Sequence, residues 1–482
     1  MTYNLTRRHA MALPLPALVA PSAFAATSAP DLKPDLHFGP DFKFGVSSSA
    51  YQIEGAVATD GRGPGIWDVF CHTPGKMAHG GNADIACDHY HRMPEDIALI
   101  ASAGIKNYRF SVSWPRLFPD GDLVANPKGF AFYDRMLDQL HAHGITPFLC
   151  LYHWDLPQAL QNKGGWVNRD TSKRLADFAS AVSHRYRDRV HNWVILNEAT
   201  VHSMFGYGMG SHAPGVQGKD SWFAALHHLN LGQGLSIQAL RANNVAGQIG
   251  TVACVEPVVA STDSDADVKA ANLFDAVWNG SILQPLFKGS YPDLVAADFA
   301  PLCQTHDLAN INQKIDMLGV NYYSRLHVQA SPSSPIGVNF GPIHNQSRFT
   351  VMGWPIEPDG LYDILMHIHN TYGQPKLFIS ENGYATADST SPLASLNDDS
   401  RIEYITDHLT FLKKAVADGA NVHGYFVWSM LDSFEWNDAM KWHFGLVQVD
   451  FATLKRTPKK SYHWYADLIR QNNRKTLQAS NL

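Results

Sequence analysis

The sequence predicts a single α/β domain folded as a (β/α)₈ or TIM barrel. Three observations carry this. Eight short apolar runs recur along the chain, each followed by material of helical pattern, which is the count for such a barrel. No linker of shifted composition interrupts the 482 residues, and barrels of this kind run long as one domain. The alternative, a doubly wound open sheet, would want a glycine-rich phosphate turn after its first strand, and none is present.

The elements follow in order. Residues 42–49 read as the first strand and lead into Ala50-Tyr51-Gln52; a turn-rich stretch precedes a helix opened by Met93-Pro94-Glu95-Asp96 and closed at Gly104. Strand 106–112 carries Arg109, and helix 129–143 stops at Gly144. Strand 145–152 then delivers His153-Trp154-Asp155. Helix 170–186 precedes strand 190–196 and the pair Asn197-Glu198, and a long helix over 221–243 precedes strand 248–255. Helical material near 268–278 and a loop lead to strand 316–323, then helix 360–370. Strand 375–379 ends in Ser380-Glu381 and an Asn382-Gly383 turn signal. Helix 401–418, strand 422–428 and a last helix over 459–471 complete the set.

Composition narrows the functional classes. The chain is 45% hydrophobic and 11% aromatic, enough for a large core, and its net charge is −6. Without a basic block to track phosphates, nucleic acid is excluded as a partner. The first stretch differs. Thr6-Arg7-Arg8-His9-Ala10, a small and apolar run to Ala20 and then Ala23-Phe24-Ala25 resemble a twin-arginine export leader, although Pro14 and Pro16 also suit an unstructured cytoplasmic tail. Read this way, residues 1–25 are an export signal, 26–34 a flexible arm, 35–475 the barrel and 476–482 a tail. The mature protein is then periplasmic or secreted, without membrane insertion, because no later apolar run approaches the ~20 residues of a membrane helix. The five cysteines lack CxxC spacing and read as mostly free, buried thiols.

Two apolar runs end in a glutamate, Ile195-Leu196-Asn197-Glu198 and Ile379-Ser380-Glu381. A carboxylate at the mouth of a buried parallel strand is out of place unless it works or pairs with a cation, and two of them suggest paired-carboxylate chemistry. Gln52, Arg109, His153, Asn321, Tyr323 and Trp428 join these residues at or just beyond the C-terminal strand ends, the face on which barrel active sites are built. Each alone has a plain packing or ion-pair reading; their convergence on one rim does not.

Those segments, together with the run from Phe44-Gly45-Val46-Ser47 to Ile53-Glu54-Gly55, Tyr108-Arg109-Phe110-Ser111-Val112-Ser113-Trp114 and Asp432-Ser433-Phe434-Glu435-Trp436, resemble glycoside hydrolase family 1 over about residues 35–471. The resemblance implies a retaining, exo-acting β-glycosidase, in the first place a β-glucosidase, that acts on small β-glycosides or short β-linked oligosaccharides with no cofactor and no metal. It implies Glu198 as acid/base and Glu381 as nucleophile, with Arg109 and Tyr323 holding the nucleophile. Gln52, His153, Asn197, Glu435 and Trp436 would line the glycone pocket over a floor of Trp428. Trp154, Asn321 and Phe444 complete the substrate-binding set, and Trp354 forms a wall of the aglycone site. Arg109 is expected to lower the pKa of Glu381, leaving the raised pKa to Glu198.

Two positions depart from the family pattern. Ala199 replaces the usual proline after the acid/base, and Ser433 stands where asparagine is common. Rival readings are a 6-phospho-β-glycosidase, against which Glu435 argues because an anion would repel a phosphate, a transglycosylase, and a catalytically silent sugar-binding barrel, which would usually have lost one carboxylate. The donors of Cys87-Asp88-His89-Tyr90-His91 fit no standard zinc spacing.

Overall fold

In the computed structural model the described residues are 35–479 except 78, 345, 347 and 388–394. The expected leader (1–25) and arm (26–34) lie outside them. Eight parallel strands close into a barrel: β1 Lys43–Ser47, β2 Asn107–Ser111, β3 Thr146–Tyr152, β4 Asn192–Asn197, β5 Gln248–Cys254, β6 Met317–Asn321, β7 Leu377–Asn382 and β8 Val422–Trp428. Each strand pairs with its sequence neighbours, and β8 returns to β1 in the register Lys43↔Gly424 to Ser47↔Trp428. Strands of a parallel barrel are covered on both faces, which is why they read as continuous apolar runs rather than alternating ones.

The helices between them are α1 His89–Ser102, α2 Pro127–Ala142, α3 Asp170–Tyr186, α4 Lys219–Ala242, α5 Asp265–Asp275, α6 Pro358–Thr371, α7 Asp399–Ala417 and α8 Lys460–Ala479. Four of these eight, α2, α4, α6 and α7, begin two residues before the sequence expectation; at α2 the cap is a side chain, Asn126 accepting the Lys128 N–H at 3.2 Å. The α1 helix starts four residues before Met93, leaving Pro94 inside it. The extra turn is held from outside by the Tyr90 N–H to the Glu54 carbonyl at 3.1 Å, and within the helix by His89 Nδ1 on Asp96 at 2.8 Å. The α8 helix runs beyond residue 471 and past the expected boundary at 475.

The core has two parts. Phe148, Cys150, Val194, Val252, Met317, Phe378 and Phe426 fill the barrel interior, and a larger shell packs the sheet against the helices. Connections leaving the C-terminal ends add a three-stranded sheet of Val258–Ala260, Leu326–Ala330 and Val338–Phe340, and a two-stranded one of Thr386–Ala387 with Trp442–His443. None of these short strands is marked in the sequence, because their pairing is set by the loops they meet. Among the described residues no helix is long and apolar enough to cross a membrane.

Candidate active site

The rim residues converge above the barrel interior. Glu381 lies in β7 and Glu198 directly follows β4, and in both strands the register slips just before the carboxylate, between Ile379 and Glu381 and between Val194 and Asn197. Such a slip re-aims a side chain that strict alternation would point elsewhere. Both are buried, at 4% and 7% exposure.

A hydrogen-bond chain joins them. Arg109, rising from β2 over the barrel core, donates Nη1 to Glu381 Oε1 at 2.6 Å and Nη2 to Asn197 Oδ1 at 2.5 Å. Asn321 donates Nδ2 to Glu198 Oε1 at 2.8 Å and to Asn197 Oδ1 at 3.2 Å, and is itself fixed by Ser380 Oγ at 2.7 Å. The Tyr323 hydroxyl donates to the second Glu381 oxygen at 2.8 Å. Glu381 therefore meets a guanidinium and a phenol, while Glu198 receives a neutral amide.

Burial pushes the Glu381 carboxyl above the ordinary glutamate range. Arg109, Tyr323 and Asn321 pull the other way without overcoming it. This corrects the expectation of a net lowering: the guanidinium acts in the expected direction, but a fully enclosed anion loses more hydration than one ion pair restores. The Tyr323 phenol is raised by burial and then by the surrounding carboxylates Glu381, Glu198 and Glu435, which keeps it a donor.

The glycone side is aromatic and polar together. His153 stacks on Trp428 at 5.9 Å and on Trp436 at 5.8 Å, and Trp154 lies 4.5 Å from Trp436 between ring centroids. Burial, then Arg109, depress the His153 pKa, so the ring is neutral. Its Nε2 faces the Asn197 amide nitrogen at 3.2 Å and accepts from it, which puts the proton on Nδ1, a buried donor with no protein partner among the described residues. Gln52 donates Nε2 to the Phe434 carbonyl at 2.7 Å and accepts the Ser49 hydroxyl at 2.6 Å, which ties it to the loop that carries Glu435. Trp428 also belongs to an apolar cluster with Tyr323, Trp354, Phe444, Met352, Ala385 and Trp442.

All fourteen residues singled out from sequence thus fall in one locus. Missed were Ser380, Met352, Ala385 and Trp442. Ser380 had a signal: it follows Phe378 by two in β7 and so faces the barrel interior. Met352 and Ala385 sit on irregular loops and Trp442 on a two-residue strand, without one. In Cys87-Asp88-His89-Tyr90-His91 the histidines are instead taken up in hydrogen bonds, His89 with Asp96 at 2.8 Å and His91 with Asp88 at 2.5 Å.

Comparison with known proteins agrees with this geometry. The family model "Glycosyl hydrolase family 1" matches residues 35–474. Beta-glucosidase A of Thermotoga maritima is 40% identical, covering 90% of this chain and 98% of its own. Thermostable beta-glucosidase B of Thermobispora bispora is 43% identical, covering 94% and 95%. The solved family 1 β-glucosidase of Thermotoga maritima superposes with a TM-score of 0.86 at 39% identity, over 91% of this chain and 99% of that one, and was also solved in complex with glucoimidazole. With nearly its whole described length matched in sequence and in fold, the chain belongs to glycosyl hydrolase family 1.

Proposed function

We infer that this protein is a retaining, exo-acting β-glucosidase, with Glu381 as nucleophile and Glu198 as acid/base. The observation that carries the assignment is the unequal environment of the two carboxylates. A carboxylate held by the Arg109 guanidinium and the Tyr323 hydroxyl is aimed, and its anion is favoured against the cost of burial. One held by the Asn321 amide can carry a proton without losing that bond. Glu381 attacks the anomeric carbon while Glu198 protonates the departing oxygen. Once the glycosyl ester forms, the negative charge on Glu381 is gone, Glu198 ionises more easily, and it draws a proton from the incoming water. Glu435, Gln52, the Asn197 amide and the neutral His153 supply acceptors and donors for sugar hydroxyls, and Trp428 supplies a flat apolar surface for the ring face. The buried carboxylate of Glu435 favours a plain glucosyl unit over a 6-phosphorylated one.

Role exchange tests the assignment. Glu198→Ala should glycosylate from an activated aryl glucoside and then stall, and azide should restore turnover as the β-glycosyl azide. Glu381→Ala with azide should give the α-azide. The reverse pair of configurations by NMR means that the two roles are interchanged.

Export belongs to the same proposal. The paired Arg7-Arg8 and the Ala23-Phe24-Ala25 site support a twin-arginine route to the periplasm or beyond. Changing both arginines to lysine should leave uncut precursor in the cytoplasm; equal processed enzyme outside the inner membrane from both forms would refute it.

A further inference from the structure

Outside the candidate active site a cavity of about 400 Å³ opens between the connections that follow β4 and β6. Its walls are Met204 and Met209 from the first connection, Trp222 from α4, Phe274 from α5 and Phe340 from the small three-stranded sheet. None of the fourteen active-site residues lines it. The size falls in the range of ligand pockets, roughly 300–1,000 Å³. Since a dry apolar cavity of about 150 Å³ is enough for benzene, this one has room for about two rings.

The lining also specifies chemistry. It carries thioethers, which adapt to flat rings, and aromatic faces from Phe274 and Phe340, themselves in edge contact at 5.7 Å. No charged side chain lines it, so an ion entering would lose its hydration uncompensated. Trp222 is 97% buried (3% exposed), and its Nε1 has no hydrogen-bond partner among the described residues. Its indole lies against Gly208, where a Cβ would come within 3.1 Å of Trp222 Cγ. Gln217 and Asn339 at the wall and Ser331 at the half-buried rim add neutral polar groups.

We propose that this cavity is a second binding site, for a neutral aromatic alcohol of one or two rings, separate from the glycone pocket. The rings occupy the Met204, Met209, Phe274 and Phe340 surface beside the Trp222 ring, and the hydroxyl meets the neutral amide groups of Gln217 and Asn339 at the wall. The site is independent of the catalytic assignment, so its failure and that of the glucosidase reading are distinguishable.

The test is calorimetric titration of 2-naphthol into the full chain saturated with deoxynojirimycin, which occupies the sugar pocket. Saturable binding is expected. Ser331→Trp, which fills the cavity from its rim, should weaken it at least tenfold with the thermal unfolding midpoint unchanged. No saturable heat, or binding that survives Ser331→Trp and disappears with Trp354→Ala, would overturn the proposal, the second by placing the ligand at the mouth of the catalytic pocket. If Ser331→Trp does not fold, Met209→Trp fills the same space from the opposite wall, and undiminished binding there overturns it equally.

Discussion

Arg109 shows how much of this site depends on single atoms. It spans Glu381 and Asn197 with two nitrogens, so it both aims the nucleophile and fixes the amide beside the acid/base. Because burial raises the Glu381 carboxyl, the acid limb of kcat/KM should fall above the ~4.3 of an ordinary glutamate. The sign follows from the role: Glu381 attacks only as the anion, so activity is lost as pH falls through its raised pKa. Removing the cation removes a lowering influence. Arg109→Met should therefore move the acid limb to still higher pH, besides reducing kcat. A limb that stays in place while kcat falls would mean that Arg109 positions without electrostatic effect. The nature of these residues was legible in sequence because a carboxylate, an arginine and a histidine at apolar strand ends have few structural uses. The net direction of the Glu381 shift was not, since it depends on how completely the fold encloses the group.

At the scale of elements, the strand ends do the positioning, and Gly383 marks how tightly. From sequence Asn382-Gly383 is a turn signal, but Asn382 is the last residue of β7 and donates Nδ2 to the Tyr322 carbonyl at 2.8 Å. Glycine is needed next to it for proximity: a Cβ there would stand 1.9 Å from the carbonyl oxygen of Trp428, the last residue of β8. Gly383→Ala must therefore part the ends of β7 and β8, which carry Glu381 and Trp428. The expected outcome is a fall in kcat/KM of at least tenfold with far-UV circular dichroism unchanged; a twofold effect would mean that the strand ends yield freely. The eight strands were legible because a parallel barrel buries both faces of each, leaving apolar runs that alternation cannot blur. The register slips before Glu198 and Glu381 were not, since a bulge is a relation between two strands. Nor was the early start of α1, where the Tyr90 bond to Glu54 and the His89 bond to Asp96 within the helix outweigh the break at Pro94.

Across the whole molecule, closing the barrel requires the last quarter of the chain to return to the first, and buried ion pairs mark the seam. Across it Arg456 reaches Asp96 at 2.8 Å and the Cys87 carbonyl at 2.6 Å, and within the last quarter Lys459, just before α8, holds Asp432, just after β8, at 2.7 Å. Burial works to raise the Asp432 carboxyl, but Lys459 and then His443 outweigh it and hold it at about 2. Burial in turn pulls Lys459 down to about 8, against the attraction of Asp432. The pair is thus costly to enclose and costlier to break. Lys459→Met leaves a buried carboxylate uncompensated and should destabilise by about 3–5 kcal/mol. Adding Asp432→Asn should recover much of that, since the amide oxygen still accepts the Gly445 N–H that Asp432 Oδ1 takes at 2.8 Å. The pH dependence discriminates. In the native protein the Asp432 contribution is complete above the unfolded value of ~3.9 and is lost only as pH falls through about 2. In Lys459→Met the unpaired carboxyl takes up its proton at much higher pH. The gap between the two urea midpoints should therefore narrow steadily from pH 7 to pH 4; a constant gap would show that Lys459 acts through its buried stem and not its charge.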